Sequence, residues 1–151
     1  MRKISFRKVT ILILLLVTAA AAAFYLTTRT AVPEGALRVE FAGGKAVELS
    51  LGALNLVSVQ GTVINAKGEE CAIDTQGILL SDVLRGAGVT EYSMVTVTAD
   101  DEYSAQVISE EIAEPDKVYL VQQEAGGMQL IVFGDENSKR NVSNVVRLSV
   151  Q

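Results

Sequence analysis

Few side chains in this sequence could carry chemistry, and the first of them is the single cysteine, Cys71. A thiolate is a soft metal ligand and a redox-active group, so Cys71 is a candidate metal ligand. It cannot form an internal disulfide, because the chain has no second cysteine. The chain also has no histidine, the commonest zinc ligand and the usual general base. The plainer interpretation of Cys71 is therefore a small apolar residue within a strand.

Two charged clusters could bind ions. Lys139 and Arg140 are adjacent cations that could pair with an anion. An exposed turn between strands explains them as well, since neighbouring strand residues face opposite sides. The three carboxylates of residues 100–102 suit a hard cation such as Ca²⁺, although an Asp-rich turn is the simpler account. Tyr103 and Tyr119 could line a shallow pocket, whereas aromatic rings more often pack in a core.

The elements that must position these residues are mostly short strands, indicated by alternation of apolar and polar residues between turn signals. Residues 54–59 are either a short strand or an irregular link. The predicted strands are 37–41, 46–51, 61–65, 70–73, 94–99, 103–108, 117–122, 128–133 and 142–150.

One helix is clearly predicted over residues 80–87, where apolar side chains recur at i, i+3, i+4 and i+7. Gly88 provides its left-handed C-terminal cap, and Val89 is expected to fold back onto Leu84. A second short helix is expected from Ser109, acting as N-cap. This order predicts an α+β fold, with a mixed or mostly antiparallel β-sheet and one or two short helices.

An uncharged apolar segment, residues 9–28, precedes this domain. About 20 apolar residues suffice to cross a bilayer as a helix. Four basic residues precede the segment and favour a cytoplasmic N-terminus. The expected organisation is a cytoplasmic basic N-terminus (1–8), a transmembrane anchor or signal peptide (9–28), a linker (29–36) and one domain (37–151). The protein would then be a single-pass membrane protein with its C-terminal domain outside the cytoplasm, or secreted if the segment is cleaved.

The charge of the exported part limits its partners. All 18 acidic residues but only 8 of the 13 basic residues lie beyond residue 29, which gives a net charge of about −10. This argues against nucleic acid, since binding there depends on neutralising phosphates with Lys and Arg. The expected partners are the membrane, through the N-terminal helix, and another membrane or envelope protein.

Several segments resemble the oxidoreductase molybdopterin-binding domain, which has the sulfite oxidase fold. Residues 77–89 (GILLSDVLRGAGV) resemble the family's G-V-x-L-x-D-L-L-x-x-A-G-V segment. The resemblance covers roughly residues 37–150, in the family's order. The further matching segments are 95–103, 109–111, 118–121, 128–133 and 139–148.

The resemblance implies molybdopterin as a possible cofactor. It implies Cys71 as the molybdenum ligand, and Lys139 and Arg140 in the segment that helps to hold the cofactor's phosphate. However, Cys71 lies only six positions before Gly77, closer than the family's ligand. The family's aromatic residue before that glycine is replaced by Gln76.

Two further family positions also differ: Glu102 replaces the glycine of the D-G-Y turn, and Gln129 replaces an arginine. These departures favour a non-catalytic binding or interaction module. The alternative is a sulfite oxidase-type molybdopterin oxidoreductase that uses Cys71 and passes electrons to a membrane partner. A third hypothesis is a purely structural domain in an envelope assembly.

Overall fold

The computed structural model describes residues 6–28 and 35–151, with side chains described for 10–24 and 35–151. These residues form two separate units, an N-terminal helix and a domain. Helix α1 spans Phe6–Thr28, and its large apolar side chains, such as Leu14 and Phe24, are exposed. Across the described residues, no helix combines the length and apolar character that crossing a membrane requires. The predicted basic N-terminus (1–8) and linker (29–36) lie largely outside the described residues.

The described part of the domain, 35–151, contains two β-sheets and short helices, so the predicted α+β class is confirmed. The first sheet has the strand order β2-β1-β9-β5-β6 and the second has the order β3-β4-β7-β8. Neighbouring strands are antiparallel except for the parallel pair β1 and β9. The strands are β1 Ala36–Phe41, β2 Ala46–Ser50, β3 Val57–Ile64, β4 Glu70–Leu79, β5 Met94–Ala99, β6 Ser104–Ile108, β7 Val118–Gln122, β8 Met128–Val132 and β9 Val145–Val150.

The main core joins both sheets and helix α2, Leu80–Gly86. The first sheet contributes fully buried residues such as Val97 and Leu148, and the second contributes Leu120 and Leu130. A smaller apolar cluster lies on the other face of the second sheet. Along β7, its members alternate with those of the main core, as the two-residue period of a strand requires. The smaller cluster comprises Val59, Val63, Tyr119, Val121 and Ile131.

Helix α2 confirms the prediction made from its sequence pattern. Its apolar stripe is buried, and Gly88 follows with a φ of 82°. The Gly88 N–H donates to the Arg85 carbonyl at 3.0 Å, and the Val89 N–H donates to the Leu84 carbonyl at 2.9 Å. These bonds satisfy carbonyls that the helix end would otherwise leave unpaired. Local sequence alone therefore specifies this element.

The second sheet departs from the predicted pattern of short strands. Strand β3 continues without a break through Gly61, and β4 runs on from the predicted partner strand to Leu79. The reason is tertiary, because residues 77–79 of β4 also pair with β7. A Cβ atom at Gly77 would lie 2.7 Å from the Leu120 carbonyl oxygen. This position therefore requires glycine for the close approach of β4 and β7.

Two predicted boundaries are wrong. Ser109 does not cap the second helix, α3 (Ser109–Ala113), because its hydroxyl bonds to the Glu110 carboxylate and Ile108 is the N-cap. Strand β9 begins at Val145 rather than Val142. Asn144 interrupts it with a φ of 51°, and the buried Val142 instead accepts a hydrogen bond from the Leu130 N–H at 2.8 Å.

Candidate functional site

An open polar cleft of about 340 Å³ lies between the β5–β6 turn and the segment that leads into β9. We call it the Asp100–Asn144 cleft. Its volume falls at the lower end of the range for small-molecule sites. The residues that line it come from these two segments and are mostly polar: Ala99, Asp100, Asp101, Tyr103, Ser138, Asn141, Ser143 and Asn144.

The β5–β6 turn is shaped by irregular backbone. The register of β5 against β9 shifts between Thr98 and Ala99, and a bulge of this kind redirects the side chains that follow it. Glu102 has a φ of 69°, and its carboxylate pairs with Arg147 at 2.9 Å. The Asp101 carboxylate accepts the Tyr103 N–H at 3.0 Å. The turn is therefore held by the Asp101 side chain and by the ion pair between Glu102 and Arg147 of β9.

The second wall is attached directly to the first. The Asn144 carbonyl accepts the Asp100 N–H at 3.1 Å, and the Asn144 N–H donates to the Gln123 side-chain oxygen at 3.0 Å. The Tyr103 hydroxyl donates to the Lys139 carbonyl at 2.6 Å. The Asn144–Asp100 and Tyr103–Lys139 bonds join residues 44 and 36 positions apart in the sequence, so both walls of the cleft are held in place before any ligand binds.

Several polar groups in the cleft have no protein partner. Among the described residues, the side chains of Asp100, Ser138, Ser143 and Asn144 make no hydrogen bond to another protein group. Together they offer a carboxylate acceptor, two hydroxyls and a carboxamide. The Tyr103 side chain is 49% exposed beside them. The cleft therefore presents both hydrogen-bond donors and acceptors next to an aromatic ring.

Arg140, predicted to help hold a cofactor, is engaged by two carboxylates. Its guanidinium forms a bidentate pair with Glu111, at 2.6 and 2.9 Å, and a second bidentate pair with Asp135, at 2.8 Å for the Nε contact. The hydrogen bonds that Arg140 donates to the carboxylates of Asp135 and Glu111 raise the pKa of Arg140. The hydrogen bond from Arg140 is the main cause that lowers the pKa of Glu111. The positive charge of Arg140 is therefore matched by acidic partners.

Lys139 and Cys71, the other predicted site residues, also lie outside the cleft lining. Lys139 is exposed, and its backbone N–H donates to the Asn137 side-chain oxygen at 3.0 Å within the loop. Cys71 is exposed in β4, where it pairs across the strands with Val63. The cleft thus includes none of the three residues that the resemblance implied.

The pairing of Arg140 differs from the cofactor-binding role that the resemblance implied. Its guanidinium is already bound by Glu111 and Asp135, and Cys71, on the β3–β4 hairpin, does not line the cleft. The cleft itself presents carboxylates, from Asp100 and Asp101, and no cation.

Part of the cleft is predictable from the sequence. Tyr103 is predicted as a pocket residue and residues 100–102 as a possible ion site, and Tyr103, Asp100 and Asp101 line the cleft. Asn144 is not predicted as a site residue, although Asn readily adopts positive φ. Tyr119, the other pocket candidate, is buried in the smaller cluster. Burial and a 2.7 Å hydrogen bond to Asp116 raise its pKa to about 12.

No protein-family model matches the chain, and no curated protein matches it. The fold and the site define the chain only as a two-sheet α+β domain with an open polar cleft, following an N-terminal helix. The resemblance to the molybdopterin-binding domain rests on the sequence segments alone.

Proposed function

We propose that this protein is a membrane-anchored extracytoplasmic binding module that does not catalyse a reaction and whose ligand occupies the Asp100–Asn144 cleft. The observation that carries this proposal is the convergence of unpartnered polar side chains in a cleft whose walls are bonded to each other. Preorganised polar groups of this kind lower the cost of binding, because little further ordering is needed.

The anchor is supported by the N-terminal sequence. The 20 residues 9–28 are uncharged, and as a helix they would extend about 30 Å. A bilayer's hydrocarbon core is about 30 Å thick. Leucine and isoleucine side chains of α1, such as Ile11 and Leu16, are exposed, and a lipid environment would remove this apolar surface from water. The basic N-terminus favours export of the domain, which would place it beside other membrane or envelope proteins.

The non-catalytic character is supported by the positions of the charged residues and the thiol. An oxidoreductase of the molybdopterin type needs a metal-binding thiolate close to a phosphate-binding cation. Arg140 is neutralised by Glu111 and Asp135, and Cys71 does not line the cleft. We therefore favour binding over the alternative, in which Cys71 ligates molybdenum.

A thermal-shift screen of small polar molecules tests the proposal, with the full chain in phosphatidylcholine nanodiscs. A ligand that binds the native state raises Tm by mass action. We expect at least one compound to stabilise the wild type and the control Glu91→Ala but not Asn144→Gly. Glycine retains the positive φ of Asn144 while removing its side chain. A screen without any stabilising compound, or stabilisation that persists in Asn144→Gly, would contradict a ligand-binding role for the cleft.

Elemental analysis tests the absence of catalysis separately. The full chain is matured in a molybdenum-replete host, together with Cys71→Ser. We expect no stoichiometric molybdenum in either protein. Stoichiometric molybdenum that disappears in Cys71→Ser would establish the oxidoreductase alternative instead.

A further inference from the structure

The geometry of the Asp100–Asn144 cleft points to a neutral saccharide as its ligand. This inference rests on the proposed function, since it names the class of molecule that the same cleft would bind. It follows from three properties of the lining: the mixture of donors and acceptors, the charge, and the exposed ring of Tyr103.

The free hydrogen-bonding groups match the hydroxyls of a sugar. Each sugar hydroxyl is both a donor and an acceptor, so a saccharide needs acceptors and donors side by side. Asp100 offers acceptors only, while the side chains of Ser143 and Asn144 offer both. Adjacent hydroxyls of one sugar ring can therefore bond to the carboxylate and to the carboxamide at the same time.

The charge of the cleft disfavours an anionic ligand. Two carboxylates, of Asp100 and Asp101, line it. Two nearby cations are already paired, since Arg140 binds Glu111 and Asp135, and Arg147 binds Glu102, and the exposed Lys139 does not line the cleft. A phosphate, which has mainly acceptor oxygens, would find repulsion instead of a compensating charge.

A bare cation matches the lining no better. A calcium ion takes six to eight oxygen ligands, and one carboxylate oxygen of Asp101 already accepts the Tyr103 N–H. A cation would also make no use of the amide hydrogens of Asn144 and the hydroxyl hydrogens of the serines, which would stay bonded to water. A neutral molecule with many hydroxyls can bond to these donors as well as to the carboxylates.

Tyr103 supplies the apolar surface that a sugar ring requires. Its side chain is 49% exposed, and its hydroxyl is fixed by the 2.6 Å bond to the Lys139 carbonyl. The ring is therefore held at the edge of the cleft, with apolar surface open to solvent. The C–H groups of a pyranose can pack against such an aromatic ring while the sugar hydroxyls bond to the polar lining.

Saturation-transfer NMR with neutral mono- and disaccharides, including maltose, cellobiose and N,N′-diacetylchitobiose, tests this inference. The full chain is held in phosphatidylcholine nanodiscs, which contain no sugar headgroup. We expect transfer to the protons of at least one sugar. Asp100→Ala and Asn144→Gly should each weaken binding about five- to tenfold, the equivalent of one lost hydrogen bond. Tyr103→Ala should weaken it further than Tyr103→Phe, because only the alanine variant removes the ring.

Glu91→Ala is the matched control, because it removes an exposed acidic side chain outside the cleft and should bind like the wild type. Circular dichroism confirms that each variant is folded. The inference is overturned if no sugar receives saturation, or if sugar binding is equal in all variants. It is also overturned if inorganic phosphate or calcium chloride, and no sugar, stabilises the protein in an Asp100-dependent way. That last result would still leave the cleft as a binding site, so it separates this inference from the proposed function.

Discussion

Arg140 is the residue on which the loop before β9 most depends. Its guanidinium joins Glu111 of helix α3 to Asp135 of the β8–β9 loop, and the three side chains are only 27%, 20% and 16% exposed. A charge-paired group of this kind is costly to break, because the remaining carboxylates lose both their hydrogen bonds and their counter-charge. The same pairing neutralises the positive charge of Arg140, which the sequence predicts as a possible anion-binding group.

Arg140→Gln is therefore expected to lower the free energy of unfolding by about 2 kcal/mol, between the values typical of exposed and of buried ion pairs. Urea unfolding of the full chain in nanodiscs measures the change. The control is Arg85→Gln, which breaks an exposed pair with Asp82 in which Arg85 is 77% exposed. It should change stability by less than about 0.5 kcal/mol. Equal losses in both variants would contradict a structural role for the Arg140 cluster.

The stability contributed by the ion pairs of Arg140 with Glu111 and Asp135 depends on pH through Glu111. Its pKa lies below the ordinary value of 4.5, first because of the hydrogen bond from Arg140. A group whose pKa is lower in the folded state stabilises the fold above its unfolded pKa, and this contribution is lost as the pH falls through the folded pKa. We expect unfolding free energy to drop as the pH falls below 4.5, and to drop less steeply in Glu111→Gln. Urea unfolding across this pH range would refute the assignment if both slopes were the same.

Only some of the residues that line the cleft are predictable from the sequence. The sequence around Asp100, Asp101 and Tyr103 has the polar composition of a turn, so it predicts these residues as site candidates. The backbone of Asn144 joins the two walls, because it has a φ of 51° just before β9 and its carbonyl accepts the Asp100 N–H. Only the tertiary structure brings these two positions together, since they lie 44 residues apart in the sequence.

Among the secondary-structure elements, β4 differs from its sequence-based prediction, because the strand extends well beyond the predicted residues 70–73. The sequence predicts helix α2 because its stripe and cap are local, whereas β4 is extended by pairing with β3 and β7 at the same time. Gly77 permits the second pairing, since any side chain there would meet the backbone of Leu120. Contacts with a distant strand leave no periodic signal in the sequence of β4 itself.

Gly77→Ala should therefore destabilise the domain by about 3 kcal/mol, at the upper end for overpacking, because the obstacle is backbone rather than a mobile side chain. The matched control is Gly86→Ala in helix α2, where a Cβ meets nothing within 4 Å. Alanine is the better helix former, so the control should be neutral or stabilising by up to about 1 kcal/mol. Urea unfolding measures both variants, and a harmless Gly77→Ala would refute the close approach of β4 and β7.

If the whole molecule is a membrane-anchored binding module, as we propose, the domain and the N-terminus lie on opposite sides of a membrane. Cys71 offers a natural reporter, because it is exposed and is the only cysteine of the chain. Its labelling reports the side on which the domain lies.

A membrane-impermeant maleimide should label Cys71 in intact cells, and Cys71→Ser should remove the label. A second variant, Ser5→Cys in the Cys71→Ser background, should be labelled only after the cells are permeabilised. The opposite pattern, with Ser5→Cys accessible and Cys71 protected in intact cells, would reverse the orientation that the basic N-terminus indicates.

Hydrogen exchange measured by mass spectrometry shows where on the chain a ligand binds. The full chain in nanodiscs is measured with and without the small-molecule fraction of the extracytoplasmic fluid. We predict slower exchange in peptides that cover residues 99–103 and 138–144, and no change around Cys71. Slower exchange around Cys71, with the two cleft segments unchanged, would contradict the account.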